Sequence, residues 1–231
     1  MSRSSTRFVW DLFGLTGSGK TYLAEQFLGA FPRPIIIPDT MDEWGEYGRS
    51  YENAEGLLRD VVAALNGEMQ WPPGGIFVLK PFGGMEKVHG LFRLAQKWRV
   101  PGTYICDELH RYAPSGKETA FLEMIRTGRH ASQSVVGITQ RPQGVHNHAV
   151  EEAGITAFQL SGRAAQYLTD DRTGYLPSCL DAQDLTDLLP QHYTLGGPRF
   201  DSLPFGESLG DADGSVWTYS KTKHATVKMQ E

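Results

Sequence analysis

The sequence predicts an α/β fold in which a mostly parallel, doubly wound sheet carries helices on both faces. Short apolar runs alternate along the chain with segments whose apolar residues are spaced three and four apart. This alternation is typical of parallel strands joined by crossover helices. Apolar residues make up 40% of the 231 residues, which is enough for one sizeable core. We therefore expect a single domain over residues 1–231, with a core at about 7–160 and a C-terminal extension at about 161–231.

Six apolar runs are the strand candidates of this sheet. They are RFVWDLF at 7–13, PIIIP at 34–38, GIFVLK at 75–80, TYICD at 103–107, SVVGIT at 134–139 and ITAFQL at 155–160. Helices are predicted after the first, third and fourth runs, where apolar residues recur on one face over 23–31, 88–98 and 121–125. Beyond about residue 175 the pattern loosens into a short helix at 182–189 and two further β segments, HYTLGG and SVWTYSK.

Composition narrows the classes of function. The formal net charge of -5 gives no global basic field, so any contact with DNA must be local. Cys106 and Cys179 form no metal-like or redox pair, which favours a reducing compartment. The start MSRSSTRF lacks the apolar core of a signal peptide, and no apolar run approaches the roughly 20 residues of a membrane span. We expect a soluble protein without a signal peptide or transmembrane segment.

The stretch GLTGSGKT, at 14–21, follows the first predicted strand and matches the pattern G-x-x-x-x-G-K-[ST]. Glycines let such a loop wrap closely around phosphate oxygens, and its N–H groups form an anion cradle with the following helix. Lys20 would reach the β and γ phosphates, and Thr21 would ligate Mg²⁺. The predicted nucleotide-binding residues are Gly14, Thr16, Gly17, Ser18, Gly19, Lys20 and Thr21. A chance glycine-rich turn is a poor alternative, because the match lies between a strand and an amphipathic helix.

Two adjacent carboxylates, Asp107 and Glu108, end the run TYICD. A phosphate-bound Mg²⁺ needs an acid at the tip of a neighbouring strand, and Asp107 fits that role directly or through a bound water. A carboxylate one residue further on can orient and deprotonate an attacking water, so Glu108 is the predicted general base. This pairing favours hydrolysis over phosphoryl transfer to a small acceptor. The alternative, two acids that simply end a strand in solvent, is weaker beside a phosphate loop.

Gln140 closes the next apolar run and is the predicted sensor of the γ-phosphate. Its strand should lie between the phosphate-loop strand and the Asp107 strand, which would bring the amide to the nucleotide. A Gln before a Pro also suits an ordinary strand end, so order and spacing carry this prediction. The predicted catalytic residues in the chain's own site are therefore Glu108, Lys20 and Gln140.

Together these motifs resemble the FtsK/HerA superfamily of DNA-pumping ATPases. The resemblance spans residues 8 to about 197 and is carried by GLTGSGKT, ICDELHRYAP, TGRHASQSVVGITQRPQGVH, AFQLSG and LTDLLPQHYTLG. The sequence shows none of the DNA-reading extensions, N-terminal barrel or membrane span that various members carry. This minimal build is most similar to the genome-packaging ATPases of membrane-containing icosahedral viruses.

The resemblance implies a RecA-like (ASCE) P-loop NTPase fold and a ring, usually a hexamer, that threads double-stranded DNA through its centre. ATP and Mg²⁺ would bind at each subunit boundary, where a positive group from the neighbour stabilises charge on the transferred phosphate. Arg126 and Arg129, expected at i and i+3 on one helical face, are the candidates, with Arg141 third. Capsid or virion membrane proteins would be further partners, and the host cytoplasm or the virion would be the location.

Two segments are candidate DNA contacts, PFGGMEK at 81–87 and RYAPSGK at 111–117. Each combines glycine, an aromatic ring and a basic group, although an ordinary surface turn explains either one alone. Three other functions stay open on the sequence: a HerA-like translocase of a cell or mobile element, a nucleotide-controlled assembly protein that does not move DNA, and a small-molecule kinase. The kinase is disfavoured by Glu108 beside Asp107 and by the lack of an arginine-rich lid.

Overall fold

The computed structural model describes residues 7–80, 84–158, 160–170 and 175, together with the backbone of three later strands. Within these residues ten strands form one sheet. They are β1 (Val9–Phe13), β2 (Ile35–Pro38), β3 (Arg49–Tyr51), β4 (Ile76–Leu79), β5 (Gly102–Asp107), β6 (Gln133–Thr139), β7 (Gly154–Ala157), β8 (Gln191–Leu195), β9 (Trp217–Ser220) and β10 (Ala225–Lys228). The described helices are α1 (Lys20–Gln26), α2 (Ala54–Leu65), α3 (Met85–Lys97), α4 (Leu109–Tyr112), α5 (Ala120–Thr127), α6 (Asn147–Glu151) and α7 (Gly162–Thr169).

The strands lie in the order β10-β9-β8-β7-β1-β6-β5-β2-β4-β3. Strands β1 to β7 pair in parallel, and β8 to β10 extend the sheet antiparallel beyond β7. Strand β6 lies between β1 and β5, as predicted for the strand that ends before Gln140. The carboxyl ends of parallel strands meet at one edge of a sheet. The residues that follow β1, β5 and β6 are therefore neighbours in space.

The core is divided by the sheet into two apolar layers, so the predicted α/β, doubly wound fold is confirmed. Alternate residues of β1 face opposite layers because side chains alternate across a strand. Trp10 packs against the end of α1, where the ring of Phe27, the residue after the helix, stands edge-on at 5.1 Å between centroids. Phe13 belongs to the other layer, which α2, α3 and α5 cover. The buried positions predicted on α3 and α5 are buried in the structure: Val88, Leu91, Phe92, Ala95, Phe121, Met124 and Ile125.

Several boundaries differ from the predicted ones. Strand β3 and helix α2 were not predicted. Strand β3 has only three residues, which are exposed or half-buried, so it carries no apolar run. Helix α1 ends at Gln26, and the apolar residues that follow it are buried in turns. Helix α5 ends at Thr127, and Arg129 lies in the 3-10 turn Gly128–Ala131. Arg126 and Arg129 therefore do not share one α-helical face, which corrects that prediction.

Parts of the predicted organisation lie outside the described residues. The predicted helix at 182–189 and the first three residues of the candidate DNA loop at 81–87 are among them. The expectation of one domain over the whole chain stays a prediction. Among the helices that the structure does describe, none is long and apolar enough to cross a bilayer.

A carboxyl group is buried in the middle of β1. Asp11 is 1% exposed, and its Oδ2 has no hydrogen-bond partner among the described residues. The neighbouring position on β6 is Gly137, where an added Cβ would overlap Asp11 Oδ1 and the side chain of Leu109. Glycine at this position therefore makes room for both side chains. Burial raises the pKa of the Asp11 carboxyl well above its usual range.

We expect Asp11→Asn to weaken the pH dependence of stability. The raised pKa means that the folded protein holds a proton which the unfolded chain loses above a pKa of about 3.9. The wild-type free energy of unfolding should therefore fall as pH rises above that value, with a slope approaching about 1.4 kcal/mol per pH unit. The near-isosteric amide cannot ionise and removes this term. Urea unfolding of both proteins between pH 5 and 8 measures it, and parallel stability curves would contradict a neutral Asp11.

Candidate active site

The predicted phosphate loop connects β1 to α1 at the carboxyl edge of the sheet. The Gly14 N–H donates to Thr139 O at 3.3 Å, which fastens the start of the loop to the end of β6. Gly17 and Gly19 have φ of 75° and 101°, in the left-handed region that residues with a side chain rarely adopt. The Ser18 N–H turns back to Leu15 O at 3.1 Å. The glycines are thus required by the path of the loop.

Lys20 is the first residue of α1, and its ammonium folds back over the loop. Nζ donates to Leu15 O at 2.8 Å. Burial lowers the pKa of the Lys20 ammonium, and the nearby carboxylates Asp107 and Glu108 oppose that shift. A cation that is half withdrawn from water and held by one carbonyl can bind phosphate oxygens at little further desolvation cost.

Thr21 and Asp107 meet across 86 residues of sequence. Thr21 Oγ1 donates to Asp107 Oδ2 at 3.4 Å, which brings the start of α1 to the tip of β5. Burial raises the pKa of Asp107 to about 6, although the N–H of Glu108, which donates to Oδ1 at 2.9 Å, acts in the opposite direction. A buried carboxylate beside a hydroxyl is a suitable ligand set for a hard cation such as Mg²⁺. The sequence predicted this pair.

Glu108 occupies an unusual backbone conformation directly after β5. Its φ and ψ are 61° and 51°, in the left-handed region, and α4 begins at the next residue. Such a conformation is costly for a residue with a side chain. It turns the chain sharply between the end of β5, which carries Asp107, and the start of α4. The carboxylate lies 3.2 Å from His110 Nδ1 and is 24% exposed, so water can reach it.

Gln140 contacts the phosphate loop itself. Thr16 Oγ1 donates to Gln140 Oε1 at 2.8 Å, so the loop and the end of β6 are joined by a side-chain hydrogen bond as well as by the Gly14 amide. A group bound at the loop would compete for one or both of these polar side chains. This geometry supports a sensor role for Gln140, which stays a prediction.

The residues at this edge fit ATP and Mg²⁺. Ser18 Oγ is buried without a hydrogen-bond partner in the part of the chain that the structure describes, and a buried hydroxyl of this kind needs an acceptor or donor. The Lys20 ammonium, the Thr21 hydroxyl and the Asp107 carboxylate lie close together around the same loop. The loop therefore offers donors to phosphate on one side and oxygen ligands to a cation on the other.

The three candidate arginines lie in different environments. Arg126 is engaged within the chain, where its guanidinium donates to both carboxylate oxygens of Glu118 at 2.6 and 2.9 Å. Arg129 is exposed, and no side-chain hydrogen bond or ion pair to it is found among the described residues. Arg141 follows Gln140 directly and is exposed. Arg129 and Arg141 therefore have guanidinium groups that are available to a neighbouring molecule, whereas that of Arg126 is bound to Glu118.

The structure adds three side chains that the sequence analysis did not assign to the site. His110 Nδ1 lies 2.9 Å from Thr139 Oγ1, and the same nitrogen contacts the Glu108 carboxylate. Glu43 lies near enough to Asp107 to raise the pKa of that carboxyl. The loop that carries Glu43 is held by Asp39, whose carboxylate accepts the Glu43 and Trp44 N–H groups at 3.0 Å. Glu43 belongs to the acidic stretch DTMDEWGEY at 39–47, to which the sequence analysis assigned no role. Which of its acids faces Asp107 depends on strand order.

Three features together define the P-loop NTPase fold. A glycine-rich loop follows β1, an amide follows the neighbouring strand β6, and a carboxylate lies at the end of β5, the next strand beyond β6. Comparison with solved structures supports this assignment of the fold. No family model matches the chain, and no curated protein matches it. Solved structures do match.

The chain is similar to the genome packaging NTPase B204 from Sulfolobus turreted icosahedral virus 2. With the complex containing ATP-gammaS, the TM-score is 0.59 and the identity 16%, over 97% of each chain. With the AMPPCP complex, the values are 0.58 and 15%, over 98% of each chain. The DNA-packaging ATPase B204 from Sulfolobus turreted icosahedral virus matches with a TM-score of 0.57 and 16% identity, over 96% of this chain and 97% of that one. The resemblance predicted from the motifs is confirmed at the level of the fold.

Proposed function

We propose that this protein is an ATP-hydrolysing motor that translocates double-stranded DNA and packages a viral genome into a preformed capsid. The observation that carries the proposal is the convergence of the phosphate loop, the Thr21–Asp107 pair and Glu108 at one edge of the sheet. The fold shared with DNA-packaging B204 supports the choice of DNA as the partner, and the ATP analogues bound to B204 support ATP as the nucleotide.

Each residue has a defined task in this proposal. The loop amides and Lys20 bind the phosphates, and Thr21 and Asp107 would hold Mg²⁺, whose charge would offset that of the phosphate oxygens. Glu108 accepts a proton from water as the water oxygen attacks the γ-phosphorus, and the bond to the leaving β–γ bridging oxygen breaks. ADP and phosphate are the products. Gln140 exchanges its contact with Thr16 for the γ-phosphate and so distinguishes ATP from ADP.

The proposed motor is a ring of subunits, with an arginine of one subunit completing the site of the next. We expect Arg129→Ala to lower ATP turnover of the assembled protein by about 10³-fold or more, as removal of such an arginine does in other phosphoryl-transfer enzymes. Arg126→Ala is the matched control, because Glu118 already binds that guanidinium within its own subunit. Turnover and oligomeric mass are measured together for both variants. Normal turnover by assembled Arg129→Ala protein would remove Arg129 from this role.

Movement of DNA requires that the active site be connected to a surface that binds DNA. The candidate loop after α4 is bonded to the segment after Gln140: Ser115 N–H donates to Gly144 O at 2.9 Å, and His146 N–H donates to Ala113 O at 2.8 Å. Lys117 lies at the exposed end of this loop. A displacement of Gln140 by the γ-phosphate would therefore be passed to the loop through backbone hydrogen bonds. In the second candidate segment, residues 85–87 lie in the first turn of α3 and not in a loop, which corrects that prediction.

Steady-state ATP hydrolysis, measured with and without long double-stranded DNA over a range of salt, tests the proposed function. We expect stimulation by DNA that weakens as salt rises, because phosphate contacts are screened and the release of each counterion from DNA is less favourable in more concentrated salt. The Glu108→Gln protein provides the blank. Turnover that ignores DNA at every salt concentration would contradict a DNA motor and favour a nucleotide-controlled assembly protein. Binding to capsid or virion membrane proteins, in the host cytoplasm or virion, would follow from a packaging role.

A further inference from the structure

His110 connects the proposed general base to the sensor strand. Its Nδ1 lies 3.2 Å from Glu108 Oε2 and 2.9 Å from Thr139 Oγ1. Thr139 is the last residue of β6 and is 1% exposed, and its Oγ1 also accepts the N–H of Arg141 at 3.2 Å. One imidazole nitrogen thus joins the residue after β5 to the residue before Gln140. One side chain can reach both residue 108 and residue 139 only because β5 and β6 are paired.

The contact requires a proton on Nδ1. A carboxylate can only accept hydrogen bonds, so an Nδ1 lone pair facing Glu108 Oε2 would be repelled. Burial lowers the pKa of the His110 imidazole; Glu108 opposes this shift, and the guanidinium groups of Arg141 and Arg111 add to it. Near neutral pH the ring is therefore neutral and is the Nδ1–H tautomer. Its Nδ1–H, which is hydrogen-bonded to Thr139 Oγ1, lies 3.2 Å from Glu108 Oε2 and attracts that carboxylate.

Holding the Glu108 carboxylate in place matters because, among the described residues, its side chain has no other close polar contact. Glu108 starts a helix of only four residues from a left-handed conformation, and its carboxylate is 24% exposed. A glutamate side chain has several rotatable bonds, and a general base must lie within about 3 Å of the water it deprotonates. A donor held by Thr139 restricts one carboxylate oxygen. The other oxygen remains available to water.

We propose that His110 is a positioning residue that holds the Glu108 carboxylate and couples it to the end of β6, where Gln140 contacts the phosphate loop. The proposal rests on the proposed hydrolysis with Glu108 as base. His110 touches neither the phosphates nor the attacking water. It acts through Glu108, and Thr139 acts through His110. A shift of β6 would therefore move the sensor and the base together.

The test compares kcat and KM for ATP in His110→Ala and His110→Asn. We expect His110→Ala to lower kcat by about 10–100-fold, in the range typical of supporting partners of active-site groups, with KM within about twofold of wild type because phosphate binding is untouched. Asn presents an amide N–H close to the position of Nδ1 and should restore most of kcat. The control is His148→Ala, which removes a histidine that lies 3.9 Å from Glu151 and is 29% exposed, outside the site. It should keep wild-type kcat.

Epistasis separates positioning from a general loss of structure. In a Glu108→Gln background, His110→Ala should cause no further loss, because the two residues act as one unit. Three results would each overturn the proposal, provided that all variants have equal thermal stability. The kcat of His110→Ala could be unchanged, it could rise, or His110→Asn could fail to restore it. Additive effects of the two substitutions would overturn it as well.

A readout without turnover keeps this inference separate from the proposed function. Nitrogen chemical shifts of the His110 ring, recorded in wild-type protein at pH 8, should show protonated Nδ1 and unprotonated Nε2, and Glu108→Gln should alter the Nδ1 signal. A ring protonated at Nε2 instead, or a signal indifferent to Glu108→Gln, would defeat the role of His110 even if ATP is hydrolysed. Wild-type protein without ATP turnover would defeat the proposed function, while the shifts would still decide whether the contact exists.

Discussion

Glu108→Gln should abolish ATP turnover while nucleotide binding is kept. The amide has the size of the carboxylate but cannot take a proton from water, so the loss should be about 10²–10⁴-fold in kcat, as for the removal of a general base. Binding should persist because the phosphate loop, Lys20 and the Thr21–Asp107 pair are unchanged. Phosphate release gives kcat, and fluorescence titration with a labelled ATP analogue gives the dissociation constant.

The matched control for this change is Glu123→Gln, which neutralises an exposed carboxylate on α5. It alters the net charge by the same amount and should leave kcat unchanged. Two results would contradict the role of Glu108. One is turnover by Glu108→Gln close to that of wild type, and the other is a variant that no longer binds nucleotide, which would place Glu108 in binding instead of chemistry.

Lys20→Ala should remove detectable nucleotide binding and with it all turnover. The ammonium is half withdrawn from water, and it is the cation of the phosphate loop that faces the two carboxylates Asp107 and Glu108. Without it, the approach of polyphosphate to these acids is repulsive, and the loop amides alone must provide the attraction. A ligand at 100 times its dissociation constant stabilises a folded protein by about 2.7 kcal/mol. The rise in melting temperature with an ATP analogue and Mg²⁺ should therefore appear in wild type and be absent in the variant.

Lys97→Ala is the control for this change, because Lys97 is the last residue of α3 and lies away from the phosphate loop. It should keep the full nucleotide-dependent shift. If Lys20→Ala showed the same shift as wild type, the loop at 14–21 would not be the nucleotide site. Both alanine variants should melt within a few degrees of wild type without ligand, so that loss of the shift reports binding.

The predicted part of the site is local in sequence. The loop at 14–21 is one contiguous motif, and its glycines at 17 and 19 have the positive φ that the motif demands. Asp107 and Glu108 were identifiable because they end an apolar run, and Gln140 because it ends the next one. In each case a short stretch contains both the chemistry and the strand that positions it.

The parts that were not predicted depend on contacts between distant segments. Strand β3 is too short and too exposed to show a pattern, and it exists because β4 offers it a free edge. The expected helical pairing of Arg126 with Arg129 is wrong, since Gly128 begins a 3-10 turn after α5. The sequence analysis assigned no role to His110, and its contact with Thr139 spans 29 residues.

By itself, then, the sequence determined the fold class and identified the phosphate loop and the acid pair as the candidate site. Both rest on short-range patterns: alternating apolar runs, and residue types at fixed spacing within one turn. The tertiary structure alone decided which other side chains contact those groups. Strand order brings Thr139 and His110 to Glu108 and Thr16 to Gln140. The burial of Asp11 and the exposure of Arg129 likewise arise from packing. The physical reason is that hydrogen bonds and desolvation depend on distances of a few ångströms, and pairing of the strands sets those distances.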